Sequence, residues 1–245
     1  HRFVSYGGAG LNLRRRRQRV RPAWSPELPL YGYVLGMQAF GLEESGHYAQ
    51  AEDVGHAALA RNPRDPWAVH AVTHVYEMQG RHREGTQWLA SREPDWAVDN
   101  GFSFHNWFHA ALFQLERLDL EGALATYDAH LAPPAEMALQ RGDATAILWR
   151  LKLLGADVSQ RFATLRDTWS TQQPDSGFYA FNDVHALVAH LGAQADPRGE
   201  ACTRLLQALR DGSSAGASNR RMAQGVGLPL AQALVDYGQE RWSGA

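Results

Sequence analysis

The chain has 245 residues, 44% of them hydrophobic and 20% charged, a balance that excludes wholesale disorder and allows a sizeable core. Its formal net charge of −2 offers no general attraction for nucleic acid or an anionic membrane, and a single cysteine, Cys202, excludes an intrachain disulfide. No apolar run reaches the roughly 18 residues of a membrane span, and the start lacks the apolar stretch of a signal peptide, so a cytoplasmic protein is expected.

Residues 1–30 form one compositional block, with "RRRRQRVR" followed by "PAWSPELP". The arginine run reads as a solvated helix end or tail rather than a nucleic-acid patch. Pro22, Pro26 and Pro29 make the end of the block an extended lead-in, because proline fixes φ and restricts the residue before it. From Tyr31 the pattern becomes helical and repeats. Placing Gly46 over Gly80 also aligns Tyr33 with Trp67, Tyr48 with His82 and Ala51 with Gly85, each 34 residues apart. A period of 34 with a glycine turn between two helices and a small residue early in the second is the tetratricopeptide pattern. The glycines supply the turn, the small residues allow close helix approach, and "NPRDP" (62–66) ends the second helix.

A third unit, "HNWFHAALFQLERLDLEGALATYDAHLAPP" (105–134), has lost the turn glycine. Two weaker helix pairs follow, "DATAILWRLKLLG" with "RFATLRDTW" and "FNDVHALVAHLG" with "RGEACTRLLQALRDG". "GSSAGASN" (212–219) reads as a flexible loop by composition, and 220–242 as further helix. The expected architecture is all-α, a tetratricopeptide-like solenoid of helix pairs. Its expected parts are a basic, proline-rich lead-in (1–30), the repeat domain (31–211), and a loop with terminal helices (212–245).

Two pairs of histidines share a spacing: His70 and His74 in "HAVTH", His105 and His109 in "HNWFH". In such repeats the first helix of each pair lines the inner surface. The repeat register puts both pairs there, together with Asn106, and places Asn182, Asp183 and His185 of "FNDVH" on a comparable helix. A histidine on an apolar helix face is commonly a hydrogen-bonded core residue. A set of them on one wall points instead to a shared polar site.

Three chemistries suit that set. Histidines four apart present nitrogens to one ion, so a divalent metal such as zinc fits, with His74, His109 and His185 as ligands and Asp183 as ligand or orienter. Neither pair contains the glutamate of an H-E-x-x-H protease. Metal-free acid–base work by histidine and aspartate is the second chemistry. The third is a binding groove for a small molecule or peptide, the usual employment of helical repeats. Nucleophilic and nucleotide-binding motifs are absent from the sequence.

"YGYVLGMQAFGLEESGHYAQAE", "NPRDPWAVHAVTHVYEMQGR", "HNWFHAALF" and "FNDVHALVA" resemble the tetratricopeptide repeat protein 38 family over roughly residues 15–192. The resemblance implies an all-helical repeat fold and carries the family's histidine-bearing motifs onto His70, His74, His105, Asn106, His109, Asn182, Asp183 and His185. Family members are usually longer at both ends, which implies a partial chain here. The reading that follows is a repeat protein holding a ligand or peptide in a concave pocket rich in His, Asn and Asp. A metal-dependent or His/Asp acid–base enzyme using that pocket is the alternative, and self-association through an exposed apolar wall is a further expectation.

Overall fold

The computed structural model describes residues 24–172, 176–194, 196–211 and 217–243, and every regular element among them is helical. The arginine run and most of the basic lead-in lie outside the described residues, as do residues 212–216 of the expected loop; helix resumes at Ala217. Two compact units divide between Leu118 and Asp119.

The first unit contains α1 (Tyr31–Glu43), α2 (Tyr48–Arg61), α3 (Pro66–Met78), α4 (His82–Ser91), the single turn α5 (Glu93–Trp96) and α6 (Ser103–Glu116). Local chemistry sets these boundaries. Asp65 caps α3, its Oδ1 accepting from the amides of Trp67 and Ala68, and Pro66 occupies the first turn, where its missing N–H costs nothing. Gly46 and Gly80 close α1 and α3 at φ of 74° and 68°. The amides that follow turn back: His47 donates to the carbonyl of Leu42, and Arg81 to that of Tyr76. At the end of α6, where the glycine is missing, Leu118 takes the same left-handed conformation at φ 58°.

Within this unit α1 packs on α2 and α3, α2 on α3, α3 on α4 and α6, and α4 on α6. Each long helix therefore touches its neighbour or the helix beyond it. The core is drawn from Leu59, Val69, Val72, Tyr76, Leu89, Trp96 and Phe113, with Leu42, Ala51 and Val75 in a smaller group alongside. Ala51 and Gly85, the small residues singled out by the repeat register, are both buried. Gly85 has no room for a side chain, because a Cβ would overlap the Phe113 ring.

The second unit contains α7 (Leu120–Thr126), which runs on as a π-helical turn over Tyr127–Leu131, then α8 (Ala138–Leu153), α9 (Ser159–Gln172), α10 (Ala180–Gly192) and α11 (Glu200–Asp211). It ends with α12 (Ala217–Met222), a second π-helical turn over Ala223–Gly227, and α13 (Leu228–Gly238). Helix α10 is the hub, packing on α8, α9, α11 and α13. Ile147, Leu151, Phe162, Leu165, Trp169 and Leu187 are fully or almost fully buried. The Trp169 indole donates to Thr145 Oγ1 at 3.0 Å, with the Arg141 guanidinium 4.9 Å from its ring. Among the described residues no helix is long and apolar enough to cross a membrane.

Candidate metal centre

Helix α3 carries His70 and His74 one turn apart, and α6 carries His105 and His109 in the same way. Because α3 packs on α6, the two pairs meet. Each of the four histidines offers a ring nitrogen lying within 4.8 Å of those of the other three. Ring centroids are 4.2 Å apart for His70–His74, 4.7 Å for His74–His109 and 4.9 Å for His105–His109. His70 and His109 are buried, while His74 and His105 are partly exposed.

Two carboxylates hold the rings from behind. His109 Nδ1 lies 2.6 Å from Glu77 Oε2. A carboxylate only accepts, so Nδ1 carries the proton and the lone pair sits on Nε2. Burial pushes the pKa of His109 down to about 3 even with Glu77 beside it, so the ring is neutral. His74 Nδ1 stands 3.4 Å from Glu43 Oε2, close enough for an ion pair but without the alignment of a hydrogen bond. Burial pulls His74 down as well, yet the carboxylates of Glu43, Glu77 and Glu44 outweigh it and hold its pKa above the ordinary value. For His70, burial comes first and the three neighbouring histidines add to it, depressing its pKa well below the ordinary value.

Several ring nitrogens are left over. His70 Nδ1 and Nε2, His74 Nε2 and His109 Nε2 are buried without a hydrogen-bond partner among the described residues. Each such atom costs about 1–3 kcal/mol. Both amide atoms of Asn106, which is fully buried next to His105 on α6, are in the same condition. His109, a neutral imidazole with a carboxylate on Nδ1 and its lone pair on Nε2, has the arrangement of a carboxylate–histidine–metal site. Late first-row divalent ions suit an all-nitrogen set of this kind.

Aromatic rings also pack against the cluster. Phe40 of α1 stacks on His70 at 5.5 Å and meets His74 edge-on at 5.7 Å. Phe102 lies 5.1 Å from both His70 and His105, and Phe108 stacks on His105 at 5.4 Å.

Asn182, Asp183 and His185 belong to α10 of the second unit, where Asp183 and His185 have partners of their own. Asp183 is fully buried and its Oδ2 accepts from the Gly177 amide at 3.0 Å. His185 Nδ1 donates to the Phe181 carbonyl at 2.8 Å, its ring packs 4.2 Å from that of Phe181, and burial lowers its pKa. Asn182 is partly exposed. The four-histidine group is assembled entirely from the first unit.

Glu43 and Glu77 were not expected from the sequence, although a signal is present. They too are 34 residues apart, each three positions before its turn glycine. Both pairs set a histidine beside a glutamate from the end of a preceding helix, at 2.6 Å with a hydrogen bond for His109 and at 3.4 Å without one for His74. No family model matches the chain, and no solved structure matches it either.

Proposed function

We propose that the protein is a tetratricopeptide-like helical-repeat protein that binds one divalent metal ion of the zinc class on His70, His74, His105 and His109. Glu43 and Glu77 act behind His74 and His109, and the metal serves to hold a ligand in the pocket of the first unit. The observation that carries this reading is the set of buried, unpartnered ring nitrogens facing one another across α3 and α6. Ligation gives a partner to one nitrogen of each ring, whereas a purely structural role leaves all of these atoms buried at a cost.

Helix-on-next-helix packing, the left-handed turns at Gly46, Gly80 and Leu118, and the 34-residue register support the repeat reading. The motifs quoted above support membership of the tetratricopeptide repeat protein 38 family. Metal-dependent hydrolysis is the second reading; it needs one of the four histidines to leave a coordination position to water, and the partial exposure of His74 and His105 favours it by leaving one side of the cluster accessible. A cytoplasmic setting suits either use.

The experiment is metal content by mass spectrometry on protein purified without a histidine tag, beside a His74→Ala/His109→Ala double variant checked for helicity by circular dichroism. About one equivalent of metal is expected in the parent and less than a tenth of that in the variant. Parent protein that fails to retain added zinc through buffer exchange refutes the metal reading.

A further inference from the structure

The four-histidine cluster has two chemically different flanks. On one stand carboxylates: Glu43 and Glu44 lie with His74 inside a group whose donor atoms are all within 4.8 Å of one another, and Glu77 touches His109. Glu44 is exposed and Glu77 is about one-third exposed, so this flank opens to solvent and carries negative charge. On the other stands an aromatic wall that also reaches solvent. Trp67 is 47% exposed although its ring stacks on Phe102 at 4.2 Å and meets His70 edge-on at 6.0 Å. Along α1, Tyr33 and Met37 are 42% and 62% exposed and precede Phe40 by two turns and one turn. Large apolar side chains left in water beside convergent polar groups mark a ligand site.

Charge complementarity decides what occupies it. Glu43, Glu44 and Glu77 outweigh the charge of a divalent ion on the histidines, so the flank stays negative and favours an ammonium group over an anionic ligand. The aromatic wall favours a flat apolar ring, and a metal whose four-histidine shell expands to a fifth ligand favours a carbonyl oxygen between the two. We infer that the site receives the amino terminus of a peptide whose first residue is aromatic. Its ammonium lies toward Glu44 and Glu77, its first carbonyl toward the histidines, and its ring against Trp67 and Phe102. This deepens the metal-site reading and rests on it only for the carbonyl contact.

Isothermal titration calorimetry with Phe-Gly-Gly-amide tests the inference, on zinc-loaded and on chelator-treated protein. N-acetyl-Phe-Gly-Gly-amide lacks the ammonium, Ala-Gly-Gly-amide lacks the ring, and phenylalaninamide lacks the peptide. The parent peptide is expected to bind about tenfold more tightly than each of the three. Glu44→Gln should shrink the preference over the acetylated peptide at least about threefold while leaving the preference over the alanine peptide. Trp67→Leu, which keeps an apolar side chain at this exposed position, should do the reverse. Equal or tighter binding of the acetylated peptide overturns the inference, and so do preferences that neither substitution moves. Equal affinity for phenylalaninamide makes the ligand a small amine and overturns the peptide assignment.

Zinc stoichiometry measured on the same samples separates the two readings. Zinc bound at one equivalent without an amine preference sinks the ligand assignment alone. An amine preference in protein that binds no zinc sinks the metal reading alone.

Discussion

His109 and Glu77 show how a single contact determines what a residue is able to do. At 2.6 Å the carboxylate fixes the Nδ1 proton, and burial keeps the ring neutral, so Nε2 is a lone-pair donor held in one orientation. Glu77→Gln keeps the shape but allows the amide to present either an oxygen or an NH₂ to His109, so the tautomer is no longer fixed. Zinc affinity measured by competition with a chromophoric chelator is expected to fall about 10- to 100-fold. Unchanged affinity would show that the glutamate does not act through the ring.

The same residues give the metal-free protein a definite pH dependence. His109 and His70 have folded pKa values below the ordinary 6.5, so the unfolded chain binds more protons and stability falls as pH drops below about 6.5. For His109 alone the slope approaches ~1.4 kcal/mol per pH unit until pH nears its folded value of about 3. His74 has the opposite sign, since its folded pKa is raised. Its contribution is complete below the unfolded value and is lost as pH rises through the folded one. Urea unfolding of chelator-treated protein should therefore show a marked loss below pH 6.5, and His109→Leu should flatten it. An acid slope that is unaltered in the variant would place its origin elsewhere.

At the scale of elements, the turns and small-residue positions can be tested separately. Leu118 is 72% exposed and sits at φ 58°, a conformation that costs a side-chain-bearing residue about 1–2 kcal/mol. Leu118→Gly removes that cost, loses little packing, and gives back part of the gain as backbone entropy. A rise in thermal midpoint is expected, and a fall would contradict the strain. Gly85→Ala is expected to be destabilising by about 1–3 kcal/mol, because the new methyl meets Phe113, whereas the aligned Ala51 already fits its site.

These elements also show what can be read from the sequence. Gly46 and Gly80 are visible as turns because only glycine enters the left-handed region cheaply, and the histidine pairs are visible because four residues return a helix to the same face. Leu118 hides the third turn, since leucine has no preference of its own for the left-handed region. Glu43 and Glu77 hid among ordinary surface glutamates. Their role depends on which histidine a neighbouring helix brings to them, and that is a tertiary fact. The π-helical turns at Tyr127–Leu131 and Ala223–Gly227 have no comparable marker in the chain.

For the molecule as a whole, the division at Leu118 and Asp119 makes the four-histidine group, and the metal site proposed for it, a property of the first unit. Hydrogen exchange followed by mass spectrometry, with and without zinc, should show slowed exchange in Pro66–Met78 and Ser103–Glu116 and unchanged exchange in Ala180–Gly192. Equal protection of the last segment would bring His185 into the site, as the sequence reading anticipated.

The most direct test of the metal site is X-ray absorption at the zinc edge on the zinc-loaded full chain. A shell made of nitrogen at about 2.0–2.1 Å, with the outer scattering of several imidazole rings, is expected. A shell without imidazole scattering would contradict the central claim that these four histidines hold the ion.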